Sequence, residues 1–350
     1  MSGSISLYLR VALILGGIFL GIWHPSAEWV EHAYANGVYP GWEHFIHAIA
    51  QPLPWSLGDL AALLGVALII WRVVARLRAS QYSLVRRIGL AVFDVAAIVG
   101  AYVIWFDVSW GWNYDRAPIE ARVNYQASRV TPQAVDALRL KAIAEMNALA
   151  PLAHAHANDP LNIEQLRTSW LPTVQAAGDT WSPEVGAPKL TVAEPFMAAT
   201  GTSGFINPLT LNSHLATDLL WFERPFSLAH EWSHVAAYAR EDEANYLAIV
   251  TCLRSPDPVA QYSGWLELFL YLPGIPQYKH STFVPLVWSD FDAIRKRNAR
   301  HINLTLAHWS WRTYNVYLKS NRIASGVQNY DEVTRLVLGI PRDANGLPVR

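Results

Sequence analysis

Three stretches of this chain are apolar over the length needed to cross a bilayer, and nothing else in it restricts the fold so much. Residues 5 to 23, ISLYLRVALILGGIFLGIW, form the first, with Arg10 close enough to its start to snorkel toward the interface. A second runs from about Pro54 to Trp71, and a third, IGLAVFDVAAIVGAYVIWF, occupies residues 88 to 106. A cleavable leader is a poorer reading of the first stretch, because the residues after it, HPSAEW, hold no small-x-small cleavage pattern. Trp23 and Trp29 stand where amphipathic rings favour an interface.

The charges between the stretches set an orientation. Residues 24 to 51 carry several histidines, Glu28, Glu31 and Glu43 but no Lys or Arg, whereas Arg72, Arg76, Arg78, Arg86 and Arg87 crowd the next connection. Basic short loops stay in the cytoplasm, so the N-terminus and residues 72 to 87 are expected inside, with residues 24 to 51 and everything after Phe106 outside. Asp94, inside the third stretch, is costly in lipid and reads as a structural hydrogen-bonding group rather than a proton path.

At 52% hydrophobic and 16% charged, the 350 residues are apolar enough for a membrane component. A formal net charge of −1 without a basic, aromatic-interleaved run gives no reason to expect a nucleic-acid partner, and none is expected. The single cysteine, Cys252, rules out an internal disulfide framework and reads as a small buried hydrophobe. The expected organisation is a transmembrane region over 1–107 and a second domain over 108–350.

The chemistry lies in FSLAHEWSHVAAYAREDEANY, residues 226 to 246. His230 and His234 are four apart, so on a helix both imidazoles share one face and reach one ion. Pro225 and Ser227 provide a helix start, and Leu228, Ala229, Trp232, Val235 and Ala236 an apolar face. A Zn²⁺ ion on two imidazoles and a carboxylate keeps a position for water and lowers its pKa toward 7. Glu231, beside the first histidine, is placed to take the proton as that water attacks an amide carbonyl. Glu241 is the first choice for the third ligand, with Asn245 as a partner for a ligand imidazole, and Glu243 is the alternative. Unbroken helix would carry Glu241 about 10 Å past His234. The helix must therefore stop, yet Val235 to Arg240 contain no Gly or Pro.

Around this stretch, Thr131 to Leu149 and residues 161 to 176 are expected to be helical, with His154 and His156 in a loop between them and not metal ligands. Gly204 to Asn207 or Leu209 to Asn212 are candidates for an edge strand onto which a peptide could add. Residues 244 to 253 and 259 to 272 read as helices, the latter as a buried core helix too short to span. Residues 291 to 318 read as one long helix, followed by a turn and a short closing helix. The oxyanion of an amide hydrolysis needs a donor. His301, His308, Arg312, Tyr314 and Tyr317 are the candidates, and Tyr314 is the choice among them.

HEWSH followed by EDEAN resembles the glutamate-zincin peptidases, in which HExxH and a downstream ExxxD or ExxAD supply the ligands. The resemblance implies His230, His234 and Glu241 as ligands and Glu231 as base, with Asn245 in the place of the usual Asp. The chain more closely resembles, over nearly its whole length, a bacterial membrane-protein family classified only as a domain of unknown function. SWGWNYDR, GFINPLT, HExxH with AREDEAN, and YLKSN with GVQNY carry that likeness. In that family a glycine often stands at the position of Ala237, which would supply the missing break. The resulting expectation is an α+β, mainly helical protein with three N-terminal transmembrane helices and a zincin-like domain outside the cytoplasm of a bacterium. It would hydrolyse peptide bonds, with Zn²⁺ as cofactor, a peptide or protein as substrate and the inner membrane as its location. A non-catalytic zinc-stabilised scaffold or sensor and a hydrolase of cell-wall peptides are the rival readings, and the sequence sets no oligomeric state.

Overall fold

The computed structural model describes residues 2–274, 279–320 and 330–350. It is mainly helical. Helix α1 (Ser2–Ile22) is followed by α2 (Ala27–Trp29), a π-helical stretch (Val30–Val38) and α3 (Tyr39–Ala50). Two long helices come next, α4 (Leu57–Leu77) and α5 (Leu84–Ser109). Both are long and apolar enough to cross a membrane. The expected first span differs in form: Leu7–Ile22 and Ala27–Ala50 make a pair bent by 104°, which would be a third crossing only if taken together.

Asp94 on α5 joins these helices. Its carboxylate accepts from Arg10 of α1 at 2.6 Å and from Arg72 and Arg76 of α4 at 2.7 and 2.8 Å. The structural reading of Asp94 therefore holds: three cations from two other helices meet one buried acid. Two glycines bring α1 and α5 together, since a Cβ on Gly17 would lie 2.6 Å from the Gly100 backbone and one on Gly100 would strike the Leu13 carbonyl.

After α5 come α6 (Ile119–Arg122), α7 (Pro132–Ala155), α8 (Ile163–Ala176) and α9 (Glu194–Thr200). Thr131 caps α7 through Ala134 N at 3.1 Å, and Asn162 caps α8 through Gln165 N at 3.0 Å. His154 is a correction to the loop reading. Its helix continues through Pro151, because the buried stripe Ala142, Met146, Ala150 and Ala153 keeps the helical period to that point. A hairpin of β1 (Gly204–Ile206) and β2 (Ser213–Leu215) follows, antiparallel with Phe205 opposite His214. The edge-strand expectation is met at Gly204, while residues 209 to 212 form the turn, in which Leu211 takes φ 53°.

The core surrounds α10 (Arg224–Val235), α11 (Glu241–Arg254) and α12 (Pro258–Tyr271), with Trp170, Trp232, Tyr246, Tyr262 and Leu266 fully buried. Nearly every residue of α10 is buried, so the helix that carries the histidines is held firmly by packing. Helix α12 is a core helix, as its length implied. The single long helix expected over 291–318 is instead α13 (Pro285–His301) and α14 (Leu304–Ser320). Asn303 breaks it by capping Leu306 N through its side chain at 3.0 Å. Helix α15 (Tyr330–Gly339) closes the fold, and the segment SNRIASGVQN lies outside the described residues after its first residue, Ser320.

The Asp94 cluster yields a direct expectation. Replacing Asp94 by Ala leaves three arginines facing one another without an acid and should cost about 3–5 kcal/mol. Thermal melts of detergent-solubilised protein should show a clearly lower Tm, whereas Arg10→Ala, which leaves two cations on the acid, should cost less.

Candidate metal centre

Helix α10 ends where Ala237 adopts φ 67°, in the left-handed region. Tyr238 N donates to Ser233 O and Ala237 N to His234 O, both at 3.1 Å, which is a Schellman closure with alanine in the place glycine prefers. A left-handed alanine costs about 1–2 kcal/mol. The carbonyls released at the helix end are taken by side chains from far away in sequence. Tyr39 Oη donates to Val235 O at 2.8 Å, Trp110 Nε1 to His234 O at 3.1 Å, and Arg116 to Ala236 O and Ala237 O at 3.3 and 3.4 Å. Each neutral bond is worth about 1 kcal/mol and each charged one about 1.5–3 kcal/mol, so the clamp outweighs the strain. Arg116 is itself buried and paired with Glu31 and Asp179, both at 2.9 Å.

The break turns the chain back, so that Glu241 opens α11 beside the two histidines. Nε2 of His230 and of His234 are 3.1 Å apart, and Glu241 oxygens lie 3.2 Å from the first and 3.6 Å from the second. A tetrahedral zinc with ligand bonds near 2.05 Å has ligand atoms about 3.3 Å apart. The two imidazole nitrogens stand near that separation, and each carboxylate oxygen of Glu241 lies near one of them, Oε2 by His230 and Oε1 by His234. Nδ1 of His234 donates to Tyr238 O at 2.7 Å, which fixes the tautomer and leaves Nε2 as a bare lone pair facing the other two donors. Asn245, one turn after Glu241, adjoins His230 as an acceptor, at looser geometry than a formed hydrogen bond, since Nδ1 of His230 has no partner within bonding reach.

Burial would depress the proton affinity of both rings. At His230 the carboxylate of Glu241 outweighs it and the pKa is pushed up to about 9, while at His234 burial prevails and the ring is held at about 4. The trio thus favours one positive charge at its centre. The donor set, its spacing and its charge all fit a divalent cation.

Glu231 is buried on the cleft side of α10, with Oε2 lacking a partner. Burial pushes its pKa up to about 8 against the pull of His230. Gly204 of β1 comes so close that a Cβ there would lie 2.6 Å from Oε1 of Glu231. A cleft of about 580 Å³ opens over these residues, lined by β1, by Phe106 and Trp110 at the end of α5, by Glu267 and Tyr271 of α12, and by Ser310 and Trp311 of α14. No strand covers the outer edge of β1 among the described residues.

The other sequence candidates fall elsewhere. Glu243 points away from the histidines, its carboxylate accepting from Ile119 N at 2.8 Å and Arg122 at 3.2 Å. His154 bonds Asp290 and His156 bonds Asp159, neither at the cleft. His301, His308 and Arg312 are exposed, and the side chains of Tyr314 and Tyr317 lie outside the described residues. Sequence reasoning missed Tyr39, Trp110, Arg116 and Glu267. Trp110 and Arg116 lie in the SWGWNYDR segment, which carried no role by itself, and Glu267 showed only as the single charge within VAQYSGWLELFLYL.

Replacing Ala237 by Gly should leave the trio intact and change stability by less than about 1 kcal/mol, since relief of strain and loss of a buried methyl oppose each other. Ala237→Val, β-branched at the same φ, should lower stability by more than about 2 kcal/mol and abolish retention of metal. Melting curves and metal content of the two purified variants test both statements.

No curated protein and no solved structure matches the chain. One family model does, that of a protein of unknown function (DUF3810), over residues 34–338. Since that match takes in most of the chain, with both long apolar helices, the clamp and the whole of the His230, His234 and Glu241 trio, the chain belongs to the DUF3810 family.

Proposed function

We propose that this protein is a membrane-anchored zinc metallopeptidase. The observation that carries the reading is the meeting of His230, His234 and Glu241, whose donor atoms all lie within 4.8 Å of one another, with the carboxylate of Glu231, its Oε2 unpartnered, beside them in an open cleft. Zinc held by the three donors would supply a Lewis acid that acidifies a water and polarises a carbonyl. The remaining work belongs to the chain. Glu231 is placed to accept a proton from the attacking water and return it to the leaving amide nitrogen, and its burial keeps its proton affinity near the value such a relay needs. The free edge of β1 offers backbone groups to an extended peptide, laying it along the same wall that Glu231 touches.

The arginine-rich connection between α4 and α5 supports an orientation with that end of the helices in the cytoplasm and the cleft on the opposite side, in the periplasm or at the outer face of a bacterial inner membrane. A purely structural zinc site would close with four protein ligands. Three donors beneath a cleft of about 580 Å³ favour the catalytic reading over the scaffold.

Zinc content and cleavage of a mixed peptide library decide the matter. Wild-type protein in detergent should hold one zinc per chain and cleave, and a chelator should stop it. His234→Ala should lose the metal, and Glu231→Gln should keep it while losing at least about a hundredfold in rate. Wild-type protein without zinc would refute the proposal, and zinc retained with full activity in Glu231→Gln would refute the role of the base.

A further inference from the structure

The cleft contains a third carboxylate that neither the metal trio nor the base accounts for. Glu267 is the single charged residue of α12, on a helix otherwise embedded in the apolar core. It lines the cleft beside His230, among Phe205, Phe226, Tyr271 and Trp311. Like Glu231, and unlike the remaining acids near the site, it makes no hydrogen bond or ion pair with a described residue. Glu241 contacts the histidines, Glu243 is held by Ile119 N and Arg122, and Glu223 accepts from Leu220 N and Arg297. Arg297, whose charge reaches Glu267, is already committed to Glu223 at 2.8 Å and to Asn298. Its carboxylate is only partly exposed and faces the cleft, so a substrate that covers it must offer it a partner or leave it unmatched.

We infer that Glu267 receives a cationic amine of the substrate, so that the cleft selects peptides presenting either a free N-terminal ammonium or a basic side chain next to the metal trio. The inference rests on the peptidase reading of the same cleft. An ammonium at Glu267 would form a charge-assisted hydrogen bond in a largely apolar enclosure, where it is stronger than in water. The apolar lining would then receive the neighbouring side chains. A neutral, blocked peptide in the same place would bury the carboxylate with no partner at all, and that difference makes the acid a selector.

The test is equilibrium binding, read from the fluorescence of Trp110 and Trp311 in the cleft wall, to zinc-loaded full-length protein in detergent carrying Glu231→Gln to prevent turnover. The probes are trileucine amide with a free N-terminus, the same peptide N-acetylated, and N-acetylated versions with lysine at each position in turn. At least one cationic probe should bind about tenfold or more tightly than the acetylated neutral peptide. Preference for the free N-terminus would assign an aminopeptidase-like mode, and preference for a lysine probe would assign a basic side-chain pocket. In Glu267→Gln, isosteric and uncharged, the advantage should vanish while the neutral peptide binds as before or better. Glu267→Leu, apolar like the rest of α12, should behave the same way if the glutamine variant is poorly folded. Equal binding of cationic and neutral probes to the protein with Glu267 intact, or an advantage that survives both substitutions, would overturn the inference and leave the peptidase reading standing. Failure of every peptide to bind would overturn both.

Discussion

One left-handed residue decides whether this protein has a site. With Ala237 in the right-handed region, α10 would continue and carry Glu241 about 10 Å away from the histidines. With it in the left-handed region, the chain reverses and the carboxylate returns to within 3.2 Å of His230. Alanine does not choose that conformation by itself, so the choice is imposed by what surrounds it. Tyr39, Trp110 and Arg116 receive the carbonyls of the last helical turn, and the guanidinium groups of Arg116 and Arg122 lie over the ring of Tyr238 at 4.8 and 4.6 Å. The carbonyl of Tyr238 in turn fixes the tautomer of His234. Strain, clamp and ligand orientation are thus successive links of one hydrogen-bonded chain.

The first turn of α11 adds a second electrostatic layer. Glu241, Asp242 and Glu243 all stand at a helix N-terminus, where the backbone dipole favours negative charge. Only the first of the three is turned to the histidines. The other two are drawn inward by Arg240, Arg122 and Ile119 N, which separates an acid that meets the metal trio from acids that hold α11 against α6. The hairpin on the far wall is tied down in a comparable way. Lys189 donates to Ser213 O through its backbone and reaches the carbonyls of Gln51 and Leu53 through its side chain, and Asp59 at the start of α4 accepts from Val192 N at 2.8 Å.

What the sequence disclosed follows the range of the forces involved. The His230 and His234 spacing is a property of one helical turn, and the long apolar helices are a property of local composition, so both were legible. The capping residues Thr131 and Asn162 were equally local. Glu241 could be named from the chemistry of the donor set, but the turn that delivers it depends on Tyr39, Trp110 and Arg116, each more than a hundred residues away, and no local pattern announces them. The break before α14 was missed because one asparagine cap outweighed an uninterrupted helical period, and His154 because Pro151 and a polar loop nearby concealed a buried stripe that runs to Ala153. Glu267 showed itself only as a charge out of place.

The clamp also bears on modularity. Its donors come from α3, from the residue just past the end of α5, and from the segment that leads out of the bilayer-length helices; Phe106 of α5 also forms part of the cleft wall. A fragment beginning after the last long helix would keep every metal-trio residue yet lose the Tyr39 hydroxyl on Val235 O and the Glu31 carboxylate on Arg116. The stretch that holds the trio is thus no transplantable cassette, because the helices ahead of it carry Tyr39 and Glu31, which help set the backbone on which its three donor side chains converge.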